Sequence, residues 1–294
     1  MNARPSADEA VRRPAVAGSF YPAHPDTARE LVRTLLAGAP TPALATRALG
    51  ALVPHAGLVY SGAVAAAGWQ ALLRDAGPAP TVVILGTNHS AWLEGVALYE
   101  DGAWQTPVGD VAVDAEVARE ILGLGTPFAM GRAAHRDEHS IEVQLPLLVA
   151  IRPGARIVPC SVAAGTGREA AEAGTRLGTR LAELRRDGRE VLLAISTDMA
   201  HYPDHEEAVR VTERLAPLIT SLDPAGLAAR ERASTSSGAR GMACGMCGIQ
   251  PAVLGLAALR AMGATGGTIV GAATSADAGG PSDRTVGYLA VALT

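Results

Sequence analysis

Short runs of consecutive apolar residues recur along the chain. They alternate with longer segments in which apolar positions return every third or fourth residue. The first pattern reads as strands buried on both faces, the second as amphipathic helices. Strands are predicted over residues 48–53, 81–85, 94–99, 156–162, 190–196, 268–274 and 286–293. Helices are predicted over 26–37, where Ala28, Leu31, Val32, Leu35 and Leu36 share a face, and over 59–73, with a small-residue face of Ala63, Ala66 and Ala67. Further helices are predicted over 114–122, 140–150 despite Pro146, 170–185, 204–221, 224–232 and 251–262. Continuously apolar strands belong to sheets with helices on both faces. The pattern therefore predicts an α/β fold over residues 1–294 as a single domain. Its architecture is a three-layer sandwich with a mostly parallel or mixed central sheet flanked by helices.

Three of these strands run into histidine: GALVPHAG over residues 50–57, TVVILGTNHS over 81–90 and VLLAISTDMAH over 191–201. In α/β sheets, ligands bind outside the carboxyl ends of strands. His55, His89 and His201 are thus placed to converge on one crevice. Pro54 stiffens one strand exit, and Gly57 permits a tight departure from it. One such histidine reads most simply as a hydrogen-bonded residue at a strand end. Three at matched positions point to a metal, for which neutral imidazole is the commonest protein ligand. Asp198, three residues before His201, is placed to fix a histidine tautomer, raise its basicity or join a ligand set.

Composition narrows the reading. Of 294 residues 48% are hydrophobic, enough for a full core, while 18% are charged and the net charge is −4. That balance argues against disorder and against a nucleic-acid footprint. All 25 basic residues are arginine, which reads as coding bias rather than as a site. No apolar run reaches the roughly 18–20 residues that span a membrane. Arg12-Arg13 is followed by PAVAGSFYPAHPD, without the apolar stretch of a twin-arginine signal. Three cysteines make no disulfide framework, so a soluble, cytoplasmic protein with reduced thiols is expected. Aromatic content is 3%, sparse for a pocket that stacks rings, although Tyr60, Trp92, Trp104 and Tyr202 lie near the motifs.

Two clusters remain. Cys244-Gly-Met-Cys247 alone suggests a redox pair or half a zinc site. Cys160 stands apart, and Cys247 lies just before the helix predicted near Pro251, where a helix N-terminus favours thiolate. Cys247 is therefore preferred as a single ligand, with Cys244 a neighbour. The segment HRDEHSIEVQ, residues 135–144, precedes an apolar helix; Glu138, His139 and Glu142 need partners or solvent there. It reads as a helix cap that also contacts a metal ligand or substrate, or else as a second metal site.

The order and number of these motifs make the chain resemble the Memo family, which includes proteins labelled AmmeMemoRadiSam system protein B. The markers are residues 13–22 (RPAVAGSFYP), 53–62 (VPHAGLVYSG), 85–89 (LGTNH), 138–146 (EHSIEVQLP), 196–202 (STDMAHY) and 246–248 (MCG). The resemblance implies a fold similar to class III extradiol dioxygenases, which use non-haem Fe(II) and O₂ to open catechol-type rings. Carried over by position, it implies metal-site residues at His55, His89, His201, Asp198 and Cys247. In the related dioxygenases two histidines and a carboxylate bind the metal, and a further histidine is the acid/base. The resemblance puts Cys247 in the carboxylate's place, so that His55, His89 and Cys247 are the expected metal ligands. His201, assisted by Asp198, is then the expected catalytic acid/base. Cys244-Gly fits the same Cys-Gly pattern, but Cys247 better keeps the spacing to the following helix.

Glu138, His139, Glu142, Asn88, Tyr60 and Cys244 are expected around these ligands or the substrate. A thiolate is softer than a carboxylate and suits Cu(I), Fe(II) or Zn(II). Fe(II) is the expected cofactor, with copper or zinc as alternatives. The implied function is a metal-dependent, dioxygenase-like oxidoreductase acting with O₂ on a small catechol- or aminophenol-type substrate. The alternatives are a non-catalytic adaptor that binds copper, iron or a peptide, and a zinc hydrolase. Radical-SAM system proteins are the implied partners, with no role for nucleic acid or a membrane.

Overall fold

The structure, a computed structural model, describes residues 11–40, 43–236 and 240–294. Its strands are β1 (Val11–Arg12), β2 (Gly50–Val53), β3 (Thr81–Thr87), β4 (Gly95–Leu98), β5 (Ala103–Trp104), β6 (Val111–Val113), β7 (Phe128–Met130), β8 (Arg156–Ala163), β9 (Val191–Ser196), β10 (Gly267–Thr274) and β11 (Gly287–Leu293). Its helices are α1 (Pro25–Gly38), α2 (Leu58–Leu73), α3 (Ala115–Leu122), α4 (Leu145–Ile151), α5 (Arg168–Arg186), α6 (His205–Thr220), α7 (Pro224–Thr235) and α8 (Ile249–Met262).

All these strands join one sheet. Its centre is the parallel run β8-β3-β9-β2. On one side β11 and β10 add antiparallel to β2. On the other, β6 pairs parallel with β8, followed by β5 and β1, while β4 pairs antiparallel with β8 and carries β7. The sheet is thus mixed around a parallel core, as the continuous apolar strands predict.

Alternation within each strand sends its side chains to two different helical layers. Val83 and Leu85 of β3, Leu193 and Ile195 of β9, and Leu52 of β2 pack with α3, α5, α6, α7 and α8. Val82 and Ile84, Leu192 and Ala194, and Ala51 and Val53 pack on the other face with α1, α2 and α4. Fully burying one such aliphatic side chain contributes about 1.5–3 kcal/mol. Both faces are therefore needed, and a three-layer sandwich results. Among the described residues no helix is long and apolar enough to cross a membrane.

Sequence and structure part in two places. The helix predicted over 140–150 is a 3-10 turn, Glu142–Gln144, followed by α4 from Leu145. Pro146 marks the reason: it sits in the first turn of α4, where its missing N–H has no partner to lose. Strands β1, β5, β6 and β7 were not predicted, because two or three residues carry no measurable period.

One buried ion pair straps the N-terminal segment to this turn. Arg12 Nη1 donates to Glu142 Oε2 at 2.6 Å, Arg12 Nε to the His135 carbonyl at 2.6 Å, and Nη2 to the Glu138 carbonyl at 2.8 Å. Glu142 also accepts from Tyr21 Oη at 2.6 Å and from the backbone N–H groups of Ala15 and Val16. The guanidinium lies 4.1 Å from the centre of the buried Trp104 ring. Every charge in this knot is compensated, as burial demands.

Two outcomes are expected. Helices α5 and α8 cross so closely that a Cβ on Gly178 would overlap the Ala258 carbonyl. Gly178→Ala should therefore cost about 1–3 kcal/mol in urea unfolding; an unchanged midpoint would mean the helices do not touch there. The second outcome concerns His135, which is fully buried and donates from Nε2 to the Ala97 carbonyl at 3.0 Å. Burial pushes its pKa down from 6.5 to about 4, and the Arg12 charge adds to the effect. A depressed histidine contributes stability above its unfolded pKa and loses it as pH falls toward the folded value. Stability should thus drop between about pH 6.5 and 4, and His135→Gln should flatten that dependence. An identical pH profile for the variant would rule His135 out as its source.

Candidate metal centre

The parallel core brings the histidine-bearing strand ends together. β9 lies between β2 and β3, with Ser196 level with Val53 on one side and Gly86 on the other. His55 leaves β2, His89 leaves β3, and Asp198 and His201 leave β9, all at carboxyl ends. They line a cleft of about 790 Å³ that also takes in Phe20, Tyr60, His139, Tyr202, Glu231, Cys244 and Cys247.

His55 is fixed from beneath. Ser196 Oγ has one proton, which it donates to the Ser140 carbonyl at 2.6 Å. It must then accept from Gln144 Nε2 at 2.9 Å and from His55 Nδ1 at 3.1 Å. His55 therefore carries its proton on Nδ1 and turns a lone pair on Nε2 toward the cleft. Gln144 is anchored in turn by Trp69 Nε1 and the Pro54 carbonyl. Burial pushes the His55 pKa down to about 3 against the pull of Asp198, so the ring is neutral and ready to coordinate.

A single carboxylate orients two more rings. Glu138 Oε1 faces His89 Nδ1 at 3.0 Å and His139 Nδ1 at 3.4 Å. The same group accepts from the backbone N–H groups of His89, His139 and Ser140. Burial opposes its ionisation, but the His89 ring and these N–H groups outweigh that and hold the carboxyl far below its usual range. The His89 and His139 rings stack, with centroids 4.6 Å apart and planes 20° off parallel. Burial also lowers the pKa of His139.

On the other side of His55 stand Asp198 and Cys247. Asp198 Oδ1 accepts the His55 N–H at 2.7 Å, while Oδ2 lies 4.0 Å from His55 Nε2 and 3.7 Å from His201 Nε2. Burial works against this carboxylate too, yet the neighbouring histidines and the donated N–H keep its pKa below the usual value. Cys247 Sγ lies 3.2 Å from His55 Nε2 and accepts the Asp198 N–H at 3.4 Å. Burial, then the Asp198 charge, pushes its thiol pKa well up and favours the protonated thiol. Gly248 makes the approach possible: a Cβ at that position would overlap the Thr197 side chain. Cys244 lines the same cleft and joins His201 by a backbone bridge; burial, then Glu231, raises its pKa to about 11. His201 Nε2 is buried without a hydrogen-bond partner among the described residues.

Among the described residues, two groups of side chains are placed to hold an ion: His55, His89 and His139, and His55, Asp198 and Cys247. In each, the ligand atoms lie within 4.8 Å of one another. The expected trio of His55, His89 and Cys247 is thus brought to one cleft but divided between these groups. His139, expected only beside the ligands, stands among them. Glu142 is spent on Arg12 and Tyr21, not on the cleft. Asn88 closes a turn on Ala91. Tyr60 and Tyr202 line the cleft, whereas Trp104 is buried under Arg12 and Trp92 is fully exposed. Sequence reasoning gave no role to Ser196 or Gln144. Both lie inside the motifs, but nothing in their spacing links them to His55.

Fold and cleft together define an α/β sandwich with a candidate metal centre at the carboxyl ends of its parallel strands. The Memo-like protein family model matches residues 12–292. The chain belongs to that family. It is 36% identical over 289 residues to the MEMO1 family protein MK0963 of Methanopyrus kandleri, covering 95% of this chain and 98% of that one. It is 35% identical over 281 residues to a MEMO1 family protein of Aquifex aeolicus, covering 95% and 97%. Among solved structures it is similar to the uncharacterized protein JW3007 from Escherichia coli K12. That match has a TM-score of 0.48 at 15% identity and covers 83% of this chain and 99% of the other.

Ser196→Ala removes the acceptor that holds the His55 tautomer. Loss of such a support typically costs about 10–100-fold in metal affinity. Calorimetric titration of a divalent metal should show that weakening, and wild-type affinity in the variant would mean the ring is oriented by something else.

Proposed function

We propose that this protein is a metal-dependent oxidoreductase, dioxygenase-like, acting on a small catechol- or aminophenol-type substrate with non-haem Fe(II). One observation carries the reading: pre-oriented imidazoles, a carboxylate and a thiol meet in a cleft that stays open to a small molecule. The metal donors are drawn from His55, His89 and Cys247, with His55 common to whichever arrangement the ion takes. Bound Fe(II) would supply redox chemistry toward O₂ and a chelating substrate. The residues do the rest. Ser196 and Glu138 keep the imidazole proton on Nδ1 and the lone pair inward. His201 Nε2, without a hydrogen-bond partner among the described residues, is free to take or give a substrate proton, and Asp198, 3.7 Å away, stabilises the charged ring. Phe20, Tyr60 and Tyr202 give the cleft an aromatic wall for a ring-shaped substrate.

A second reading is a non-catalytic metal carrier of the same family. The Cys247 sulfur favours it, since thiolate sites suit Cu(I) as well as iron or zinc.

The test is anaerobic purification with elemental analysis, then O₂ uptake with catechols and aminophenols. His55→Ala and Cys247→Ala should lose much of the metal. His201→Ala should keep more of it while turnover falls about 10²–10⁴-fold. Equal metal loss in His201→Ala would make His201 a ligand. Full metal loading with no O₂ uptake on any substrate would leave the carrier reading in place of the enzyme.

A further inference from the structure

A second cavity, of about 440 Å³, lies where the segment after β1 meets the 3-10 turn Arg132–His135. It shares no lining residue with the metal cleft. Four of its wall residues are arginine: Arg12, Arg13, Arg132 and Arg136. Like charges repel, so gathering four guanidinium groups needs a cause.

Two of the four are spent. Arg12 is paired with Glu142 at 2.6 Å. Arg132 donates from Nε to Glu100 at 2.8 Å, pairs also with Asp101, and lies 4.6 Å from the centre of the Tyr99 ring. Arg13 and Arg136 differ. Both are exposed, and among the described residues neither makes an ion pair. Their backbones are nevertheless fixed. Arg12 donates from Nη1 to the Arg13 carbonyl and from Nη2 to the Arg136 carbonyl, each at 3.4 Å. One buried guanidinium thus ties down two residues far apart in sequence and leaves their side chains available at the same cavity.

Two uncommitted guanidinium groups match a phosphate, which carries about 1.5 to 2 negative charges at neutral pH. Their planar forks suit its oxygens. The lining holds one carboxylate, Asp137, also exposed and without an ion pair among the described residues. A carboxylate repels a bare anion but accepts from a hydroxyl. The volume, too, falls in the range of about 300–1,000 Å³ that suits an organic ligand rather than an ion alone. We propose that this cavity binds the phosphate monoester of a small hydroxylated compound. Arg13 and Arg136 grip the phosphate, and Asp137 accepts from a hydroxyl of the group it carries. The site stands independently of the chemistry in the metal cleft.

The experiment is calorimetric titration of glycerol 3-phosphate, inorganic phosphate and glycerol into the full chain. Glycerol 3-phosphate should bind one to one and more tightly than inorganic phosphate, and glycerol alone should not bind. Arg13→Gln and Arg136→Gln should each weaken glycerol 3-phosphate by about tenfold or more, since each removes a charge-assisted hydrogen bond. Arg186→Gln removes the same charge from the end of α5 and should stay within about twofold of wild type. Asp137→Asn should tighten inorganic phosphate and narrow its gap from the ester. Absence of saturable binding to wild type, binding that survives both cavity substitutions, or an equal loss in Arg186→Gln would overturn the proposal. Equal affinity of wild type for phosphate and its ester would overturn the assignment of an ester ligand.

Discussion

Strand β9 pairs in parallel with β2 on one side and β3 on the other, and Ser196 is level with Val53 and Gly86. The whole site depends on that register. Three chain segments far apart in sequence leave the sheet at the same height, so their first polar residues meet. A slip of one residue in β9 would turn Ser196 to the opposite face. It would also shift Asp198 away from the His55 N–H that it accepts. Apolar alternation along β3 and β9 fixes the register, because Val83, Leu85, Leu193 and Ile195 must meet one helical layer and their neighbours the other. The hydrophobic core and the candidate metal centre are therefore consequences of one pairing.

Polar groups at this depth are costly unless each has a partner. The cleft satisfies the rule by sharing. Ser196 bonds Ser140, Gln144 and His55; Glu138 faces two imidazoles and several backbone N–H groups. The Arg12–Glu142 pair extends the same economy outward, since Arg12 also bonds the Glu138 carbonyl. Orientation of the donors is thus tied to the docking of residues 12–21. The exception in the cleft is His201 Nε2, which has no hydrogen-bond partner among the described residues and lies 3.7 Å from Asp198 Oδ2.

Much of this was legible in the sequence. Continuous apolar runs marked the parallel strands, and the histidines beyond them marked the carboxyl edge. Cys247 was placed correctly ahead of α8, and the family followed from motifs that span the chain. What stayed hidden depends on long-range pairing. Strand order puts β9 between β2 and β3, and no local pattern states that. Glu142 looked like a cleft residue because it neighbours His139; its partner Arg12 lies 130 positions away. Gln144 read as one more polar residue of a helix, although its amide reaches Ser196 and Pro54. The segment at 140–150 read as continuous helix because its apolar spacing outweighed Pro146 in the pattern.

His55 and Cys247 touch across 192 positions of chain. Chains leave the ribosome from the N-terminus at about 5–20 residues per second. His55, His89 and His139 therefore emerge well before Cys247, and β11, which closes the outer side of β2, emerges later still. A nascent chain that has reached only His139 holds these imidazoles without the Cys247 sulfur and without the ladder that sets their geometry. The geometry of the candidate centre is complete only once both have emerged, so it is among the last parts of the fold to take shape.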